Sequence, residues 1–298
     1  MEKRQFGRTD MQVTALGFGG AEVGSEQISD QDAGRLLKRV IDAGINVIDT
    51  AACYGRSEVR IGQALADRRD EFYLFSKCGH ARGLDEPPEA EDWDLEMMAR
   101  SIEQSLQRLK TDTIDLMQLH TCSIETLKKG DVIEPLARAK EQGKIRYLGY
   151  SGNGETALAA IESGQFQALQ TSANLIDQDP VDQVLPKAGK AGMGTIIKRP
   201  IANAAWLLDE RPDSDYMRPY YQRCQEIELD LFDADEQESV EIALRFILFC
   251  PGVSTAIVGT RNEGHFEANL RAANAGPLAP AQLEAIYNAW QDYKDEQD

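Results

Sequence analysis

Four side chains that can hold or move a proton stand at the ends of apolar segments in the first part of the chain. Asp49 ends one such segment, Tyr54 follows it just before Gly55, and Lys77 and His120 end two others. A phenol can donate or accept a proton, a neighbouring lysine favours the phenolate and so lowers the phenol pKa, and a carboxylate holds the ammonium in place. A histidine can orient a carbonyl oxygen or assist the transfer. The four residues therefore suit general acid/base chemistry, provided that the fold brings them together.

Each residue alone permits a simpler interpretation. Asp49 can cap a turn, Tyr54 can cover the rim of the fold, and a lysine or histidine at a strand end is often only a rim residue. Lys77 is also the residue type that forms a Schiff base in aldolases. Zinc is a further alternative, since the ligand types Cys78, His80, His120 and Cys122 lie on the same two segments. Side chains alternate along a strand, so Lys77 and Cys78 cannot both point inward, which argues against a metal site.

The elements that must position these residues alternate between strand and helix. A helix from Ser29 is indicated by apolar residues at helical spacing and by the Ser29 and Asp32 capping pair, with Gly44 as its stop. The same alternation continues to the end of the chain and predicts eight strands, a closed (β/α)8 TIM barrel in a single domain over residues 1–298. The strands are expected near 16–19, 46–49, 72–77, 114–119, 145–150, 167–171, 194–198 and 255–258. The helices are expected near 29–43, 57–66, 95–109, 132–142, 155–163, 181–191, 237–250, 263–272 and 280–293.

Three further features of the chain accompany the barrel pattern. Residues 3–6 and 11–14 predict an N-terminal β-hairpin that covers one end of the domain. The glycines of residues 16–20, ending at Gly20, would let a ligand approach the first strand, although a plain turn fits them equally. The long connection 200–236, after strand seven, is rich in Asp, Arg and aromatic residues and is expected to form a lid. Its Trp206 and Tyr216, with Trp93, are candidates to line an apolar substrate pocket.

Composition limits the classes of partner. The chain has 298 residues and a net charge of −18, which argues against nucleic acid and anionic membranes as partners. It shows no apolar run long enough to span a bilayer and no signal-peptide core. Five cysteines without paired spacing favour a reducing compartment. The expectation is a cytoplasmic protein that acts on a small molecule, as a monomer or a homo-oligomer.

These motifs together resemble the aldo-keto reductase family along nearly the whole chain. The family is a (β/α)8 barrel that binds NADPH, or less often NADH, without a Rossmann fold. Its catalytic Asp, Tyr, Lys and His fall on Asp49, Tyr54, Lys77 and His120. The resemblance implies that Tyr54 protonates a carbonyl oxygen, that Lys77 and Asp49 tune Tyr54, and that His120 aligns the carbonyl.

The resemblance also implies a cofactor site. Gln170 and Ser151 match residues that bind the nicotinamide carboxamide, and Asn153 is expected to add a second contact. Lys198 and Arg199 replace an aromatic residue and a serine found in many members, and their charge can meet the pyrophosphate. The remaining candidate cofactor residues are Gly20, Asp49, Gly259, Thr260, Arg261, His265 and Asn269.

The adenosine segment bears on the choice of cofactor. Gly259 stands where many NADPH-dependent members have a lysine, and His265 stands where a later arginine is found. Arg261 is then the candidate for a 2′-phosphate, because a guanidinium can make bidentate contacts. On this basis NADPH is expected, with NADH as the alternative.

The implied activity is the reversible, NAD(P)H-dependent reduction of aldehydes or ketones to alcohols. The alternative is a regulatory protein that binds the cofactor and senses its redox state with little turnover, as the family's potassium-channel β subunits are thought to do. Loops such as 80–94 and 201–236 are expected to set the substrate. A further hypothesis gives Cys53, Cys78 and Cys122 enhanced thiolate character near Lys77, which would make the enzyme sensitive to peroxide.

Overall fold

Eight parallel strands close into a barrel in chain order, and the last strand pairs back onto the first. The structure is a computed structural model that describes residues 1–82 and 89–297. An antiparallel hairpin of β1 (Lys3–Gln5) and β2 (Gln12–Thr14) precedes the barrel. The barrel strands are β3 (Leu16–Gly19), β4 (Val47–Asp49), β5 (Tyr73–Cys78), β6 (Ile114–His120), β7 (Ile145–Ser151), β8 (Ala168–Ser172), β9 (Gly194–Lys198) and β10 (Thr255–Val258). The predicted (β/α)8 barrel is confirmed.

The helices between the strands cover the outside of the barrel. They are α1 (Asp30–Asp42), α2 (Ser57–Leu65), α3 (Leu95–Leu109), α4 (Ile124–Lys129), α5 (Glu134–Glu141), α6 (Gly154–Glu162), α7 (Asp179–Gln183), α8 (Leu185–Lys190), α9 (Arg218–Glu226), α10 (Glu236–Leu248), α11 (Glu263–Asn274) and α12 (Pro280–Gln297). Short 3-10 segments lie at Glu22–Gly24, Ala66–Glu71, Asp131–Ile133, Ala202–Leu207 and Asp230–Asp233. Within the described ranges, no helix combines the length and the hydropathy that a membrane span requires.

Local sequence explains most of the helix boundaries. Ser29 caps α1 as predicted, since its Oγ accepts the Asp32 amide at 3.1 Å and donates to the Asp32 carboxylate at 2.7 Å. The single helix expected at 181–191 is instead two helices, α7 and α8, which are separated by Val184. Pro186 lies in the first turn of α8. A proline lacks the N–H that a continuous helix needs. Helix α4, capped by Ser123, was not among the predicted elements.

The hairpin closes the amino-terminal end of the barrel. Phe6, Met11 and Val13 are fully buried there, and they belong to one apolar cluster with side chains that point into the barrel. Those barrel residues are Val47, Phe75, Leu116, Ala168, Ile196 and Ile257. The prediction that the hairpin covers one end of the domain is confirmed, and it leaves the carboxyl ends of the strands as the open mouth.

Candidate active site

The alternation of side chains along the strands places a polar layer directly above this apolar floor. Two residues after Val47, Phe75 and Leu116 come Asp49, Lys77 and Gln118, which therefore share the same inward face. Gln170 and Lys198 follow Ala168 and Ile196 in the same way. The mouth of the barrel is thus lined by ionisable and amide groups, at the end where the active sites of such barrels lie.

Lys77 and Asp49 form a buried ion pair in this layer. The Lys77 ammonium donates to Asp49 Oδ1 and, at 2.8 Å, to the carbonyl of Thr50, and both side chains are almost fully buried. Burial alone would lower the pKa of Lys77, but the charge of the Asp49 carboxylate and its hydrogen bond to the ammonium outweigh burial, and the pKa is raised. Lys77 therefore stays charged at neutral pH. A protonated amine is not nucleophilic, which argues against the Schiff-base alternative.

Tyr54 reaches this pair from the turn that follows β4. The Lys77 Nζ lies 5.0 Å from the centre of the Tyr54 ring. Burial raises the pKa of Tyr54 more than the Lys77 charge lowers it, and Asp49 adds to the rise, so the pKa lies above its ordinary value. The expected lowering of the phenol pKa is therefore wrong. Tyr54 is a neutral phenol at neutral pH and is positioned to donate its proton.

His120, at the end of β6, completes the group of four. Its ring meets the Tyr54 ring edge-on, with 5.6 Å between the centroids, and its Nδ1 lies 3.4 Å from the Cys53 Sγ. Burial, together with the charge of Lys77 and other cations, lowers the pKa of His120 to about 2. A neutral imidazole can donate one hydrogen bond to a carbonyl oxygen. The structure thus brings Asp49, Tyr54, Lys77 and His120 together.

A chain of hydrogen bonds extends from Asp49 across the polar layer. Gln170 Nε2 donates to Asp49 Oδ2 at 2.9 Å, and Ser151 Oγ donates to Gln170 Oε1 at 2.9 Å. Gln118 Nε2 also approaches Asp49 Oδ2, at 3.2 Å, and its own Oε1 is buried without a partner in the described chain. Gln118 is not among the site residues predicted from the sequence. Its position two residues before His120 on β6 is nevertheless enough to place its side chain on the same inward face.

Asn153 lies just beyond the end of β7. Its Oδ1 accepts the Ser172 amide at 2.9 Å, which ties it to the end of β8. Its role as the second carboxamide ligand stays a prediction.

Two basic residues lie at the carboxyl end of β9, Lys198 as its last residue and Arg199 directly after it. Lys198 Nζ lies 3.4 Å from Ser151 Oγ, and burial, followed by the charges of Arg199 and Lys77, lowers the pKa of Lys198 to about 7. Arg199 adopts a left-handed backbone with φ 58°. Its guanidinium lies 4.7 Å above the ring of Tyr216 and donates to the hydroxyls of Tyr216 at 2.6 Å and Tyr220 at 3.1 Å. The connection 200–236 therefore contacts the barrel mouth through its aromatic residues, and its role as a lid stays a prediction.

Of the three aromatic candidates for a substrate pocket, Tyr216 lies against Arg199, and the two tryptophans lie elsewhere. Trp93 packs over Gly79 and its ring lies 5.6 Å from that of His80, which in turn is 4.9 Å from His120. Trp206 is buried in the core, stacked on Phe232. Trp93 therefore belongs to the wall of the site and Trp206 does not. Part of the loop 80–94 lies outside the described residues.

The glycines at the ends of β3 and β10 pack too closely for a side chain. A Cβ on Gly20 would lie 2.8 Å from Ser57 Oγ, and one on Gly259 would lie 2.7 Å from the Gly19 carbonyl. Beyond Gly259, a cavity of about 550 Å³ opens between α10 and α11, and Thr260, His265 and Asn269 line it. Arg261 is not among its lining residues.

The three cysteines near the site do not have the enhanced thiolate character that the hypothesis of peroxide sensitivity requires, because their pKa values are raised. Burial raises the pKa of Cys53 more than the Lys77 charge lowers it. Burial likewise raises the pKa of Cys78 to about 12 and that of Cys122 to about 11. Within the described residues, no three His, Cys, Asp or Glu side chains are grouped as metal ligands.

Comparison with known proteins agrees with this geometry. The model of the Aldo/keto reductase family matches residues 15–291. The uncharacterized oxidoreductase YqkF of Bacillus subtilis is 28% identical over 301 residues, which cover 96% of this chain and 95% of that protein. L-galactose dehydrogenase of Arabidopsis thaliana is 24% identical, covering 91% of this chain and 88% of that protein.

Among solved structures, the holo form of aldo-keto reductase AKR11C1 from Bacillus halodurans superposes with a TM-score of 0.83 at 26% identity. The match covers 97% of this chain and 96% of that one. The barrel, the buried group at its mouth and these matches lead to one conclusion: the chain belongs to the aldo/keto reductase family.

Proposed function

We propose that the protein is an NAD(P)H-dependent oxidoreductase that interconverts aldehydes or ketones and alcohols, with Tyr54 as the general acid and base. The observation that supports this most directly is the position of Tyr54, whose ring centre lies 5.0 Å from the Lys77 Nζ and 5.6 Å from the centre of the His120 ring. The directions of the pKa shifts agree with a neutral phenol beside a charged lysine and a neutral imidazole. This arrangement suits donation of a proton to a carbonyl oxygen, because the ammonium stabilises the phenolate that remains.

The residues at the mouth fit a nicotinamide dinucleotide. The buried Asn269 lines the cavity between α10 and α11, where a side-chain amide can both donate a hydrogen bond to a ligand and accept one from it. In this proposal Gln170, Ser151 and Asn153 hold the nicotinamide amide, and Lys198 and Arg199 meet the pyrophosphate. Gly20, Gly259, Thr260, His265 and Asn269 lie along the rest of the cofactor, and Arg261 is the sequence's candidate for a 2′-phosphate.

When bound, the nicotinamide supplies the hydride. The protein's own contribution is to orient and to transfer the proton. His120 donates a hydrogen bond to the substrate oxygen, Tyr54 gives that oxygen its proton, and Lys77 balances the charge left on the phenolate. Asp49 holds Lys77 in place and, through Gln170 and Ser151, links the acid to the amide-binding side chains.

The test is to titrate the purified protein with NADPH and NADH by fluorescence and then to follow cofactor absorbance with a panel of carbonyl compounds. Aldoses and sugar lactones belong in the panel, because one relative is named an L-galactose dehydrogenase. Binding with carbonyl-dependent oxidation supports the proposal. Binding without turnover on any substrate would favour the redox-sensing alternative, and no binding would refute both.

Lys198 leads to a pH prediction within this proposal. With its pKa lowered to about 7, Lys198 is charged below that pH and loses its proton as the pH rises through it. An anionic pyrophosphate favours the charged form, so cofactor affinity should weaken by up to about tenfold for each pH unit above that point. Lys198→Met should bind cofactor more weakly at low pH and with little pH dependence. The measurement is the cofactor Kd from pH 6 to pH 9 for both proteins, and parallel profiles would contradict the role of Lys198.

A further inference from the structure

The cavity between α10 and α11 is bordered by more acidic than basic groups. Three carboxylates line it, those of Asp235, Glu236 and Glu241, against the single guanidinium of Arg271 and the imidazole of His265. Asp235 caps α10 and Glu241 pairs with Arg245 at 3.0 Å. The cavity therefore presents a net negative border to whatever enters it.

Glu236 is the carboxylate with the fewest partners. Among the described residues its nearest ionic neighbour is His265, whose Nε2 lies 4.0 Å from Glu236 Oε1. Its side chain is 65% exposed, so a ligand at the cavity border can reach it. A carboxylate in such a place accepts hydrogen bonds from hydroxyl groups and repels phosphate.

Arg271 is the guanidinium that lines the cavity, and two further groups that could favour a phosphate are engaged elsewhere. Arg261 lies on the other side of the β10 end, where its guanidinium pairs with Glu22 at 3.2 Å and reaches Ser25 Oγ at 3.4 Å and Gln27 Oε1. At the start of α11, Asn262 Oδ1 already accepts the amides of Gly264 and His265 at 2.7 and 3.4 Å. These two amides are therefore not open to a phosphate.

We propose that this cavity accepts an adenosine whose ribose bears a free 2′-hydroxyl, and hence that the protein prefers NADH and NAD⁺ to NADPH and NADP⁺. The proposal rests on the function proposed above, which places the adenosine in this cavity. A 2′-phosphate would add about two negative charges to a border that already has a net negative charge. The free hydroxyl can instead donate to a carboxylate, as acidic residues do for the ribose in other NAD sites.

The first experiment is to measure the Kd of NADH and NADPH for the intact protein by fluorescence, at low and at high ionic strength. NADH should bind at least about tenfold more tightly at low salt, and the ratio should shrink as salt screens the carboxylates. Equal or tighter binding of NADPH would overturn the inference and leave the proposed function standing. Failure of both cofactors to bind would overturn the proposed function itself, and the inference with it.

Variants then identify the group responsible. Glu236→Gln should tighten NADPH severalfold, and Glu236→Lys should narrow or reverse the preference. Glu238→Gln is the matched control, because Glu238 is an exposed carboxylate in the same helical turn that lines a different surface. Arg261→Gln should leave the NADH to NADPH ratio unchanged. A collapse of NADPH binding in Arg261→Gln, or equal effects of Glu236→Gln and Glu238→Gln, would refute the assignment.

Discussion

Tyr54→Phe is expected to lower kcat by about a hundredfold to ten-thousandfold while leaving cofactor affinity close to that of the natural protein. The substitution removes only the hydroxyl, so the ring keeps its contacts with His120 and Lys77. Without that hydroxyl, the proton donor beside Lys77 is lost, and His120 cannot replace it as the acid because its pKa is lowered to about 2. The measurement is kcat with the best substrate of the carbonyl panel, alongside the Kd of the cofactor.

Tyr147→Phe is the matched control for this experiment. This substitution also removes one phenol hydroxyl, but from the closed end of the barrel. In the natural protein the Tyr147 hydroxyl donates to Asp10 of the hairpin at 3.0 Å. Turnover of Tyr147→Phe should remain near that of the natural protein. Normal turnover in Tyr54→Phe would remove Tyr54 from the role of acid.

Lys77→Met is expected to affect stability and activity together. The substitution leaves the Asp49 carboxylate buried, with the side chains of Gln118 and Gln170 as its donors among the described residues. Removing one partner of a buried ion pair costs about 3–5 kcal/mol of the free energy of unfolding, because an uncompensated charge remains. Turnover should also fall, since the phenolate of Tyr54 loses the cation beside it. Urea unfolding and kcat measure the two effects.

The double variant Lys77→Met/Asp49→Asn separates the structural effect from the chemical one. It removes both charges and keeps an oxygen for the two glutamine donors, so most of the lost stability should return. Turnover should not return, because no ammonium remains beside Tyr54. A double variant that is stable and active would show that the pair serves the fold alone.

The strand pattern predicted most of the active site because side-chain alternation is local information. If Asp49 points into the barrel, alternation along the neighbouring strand also points Lys77 into the barrel. Cys78, the next residue, then points away from the barrel axis and is buried on the other face of the strand. The capping of α1 is local in the same sense. The same alternation also predicts that Gln118 points into the barrel, because it lies two residues before His120 on β6.

Other properties depended on groups that are distant in the sequence. The pKa of Tyr54 is a balance between burial and two charges, and the amount of burial is known only when the barrel is closed. The direction of Arg261 is set by Glu22 and Gln27, which precede it by more than two hundred residues. Helix α4 is a single short segment of six residues, too short for a periodic pattern to reveal it.

The hairpin at the barrel floor has a consequence for how the chain folds as it is synthesised. Phe6, Met11 and Val13 are synthesised well before Ile257, which belongs to the surface that buries them. Phe18 is likewise about 240 residues from Val258, its partner in the barrel closure. The hairpin therefore cannot be completely buried until the segment that contains Ile257 has been synthesised, so part of its apolar surface stays open to aggregation for most of that time.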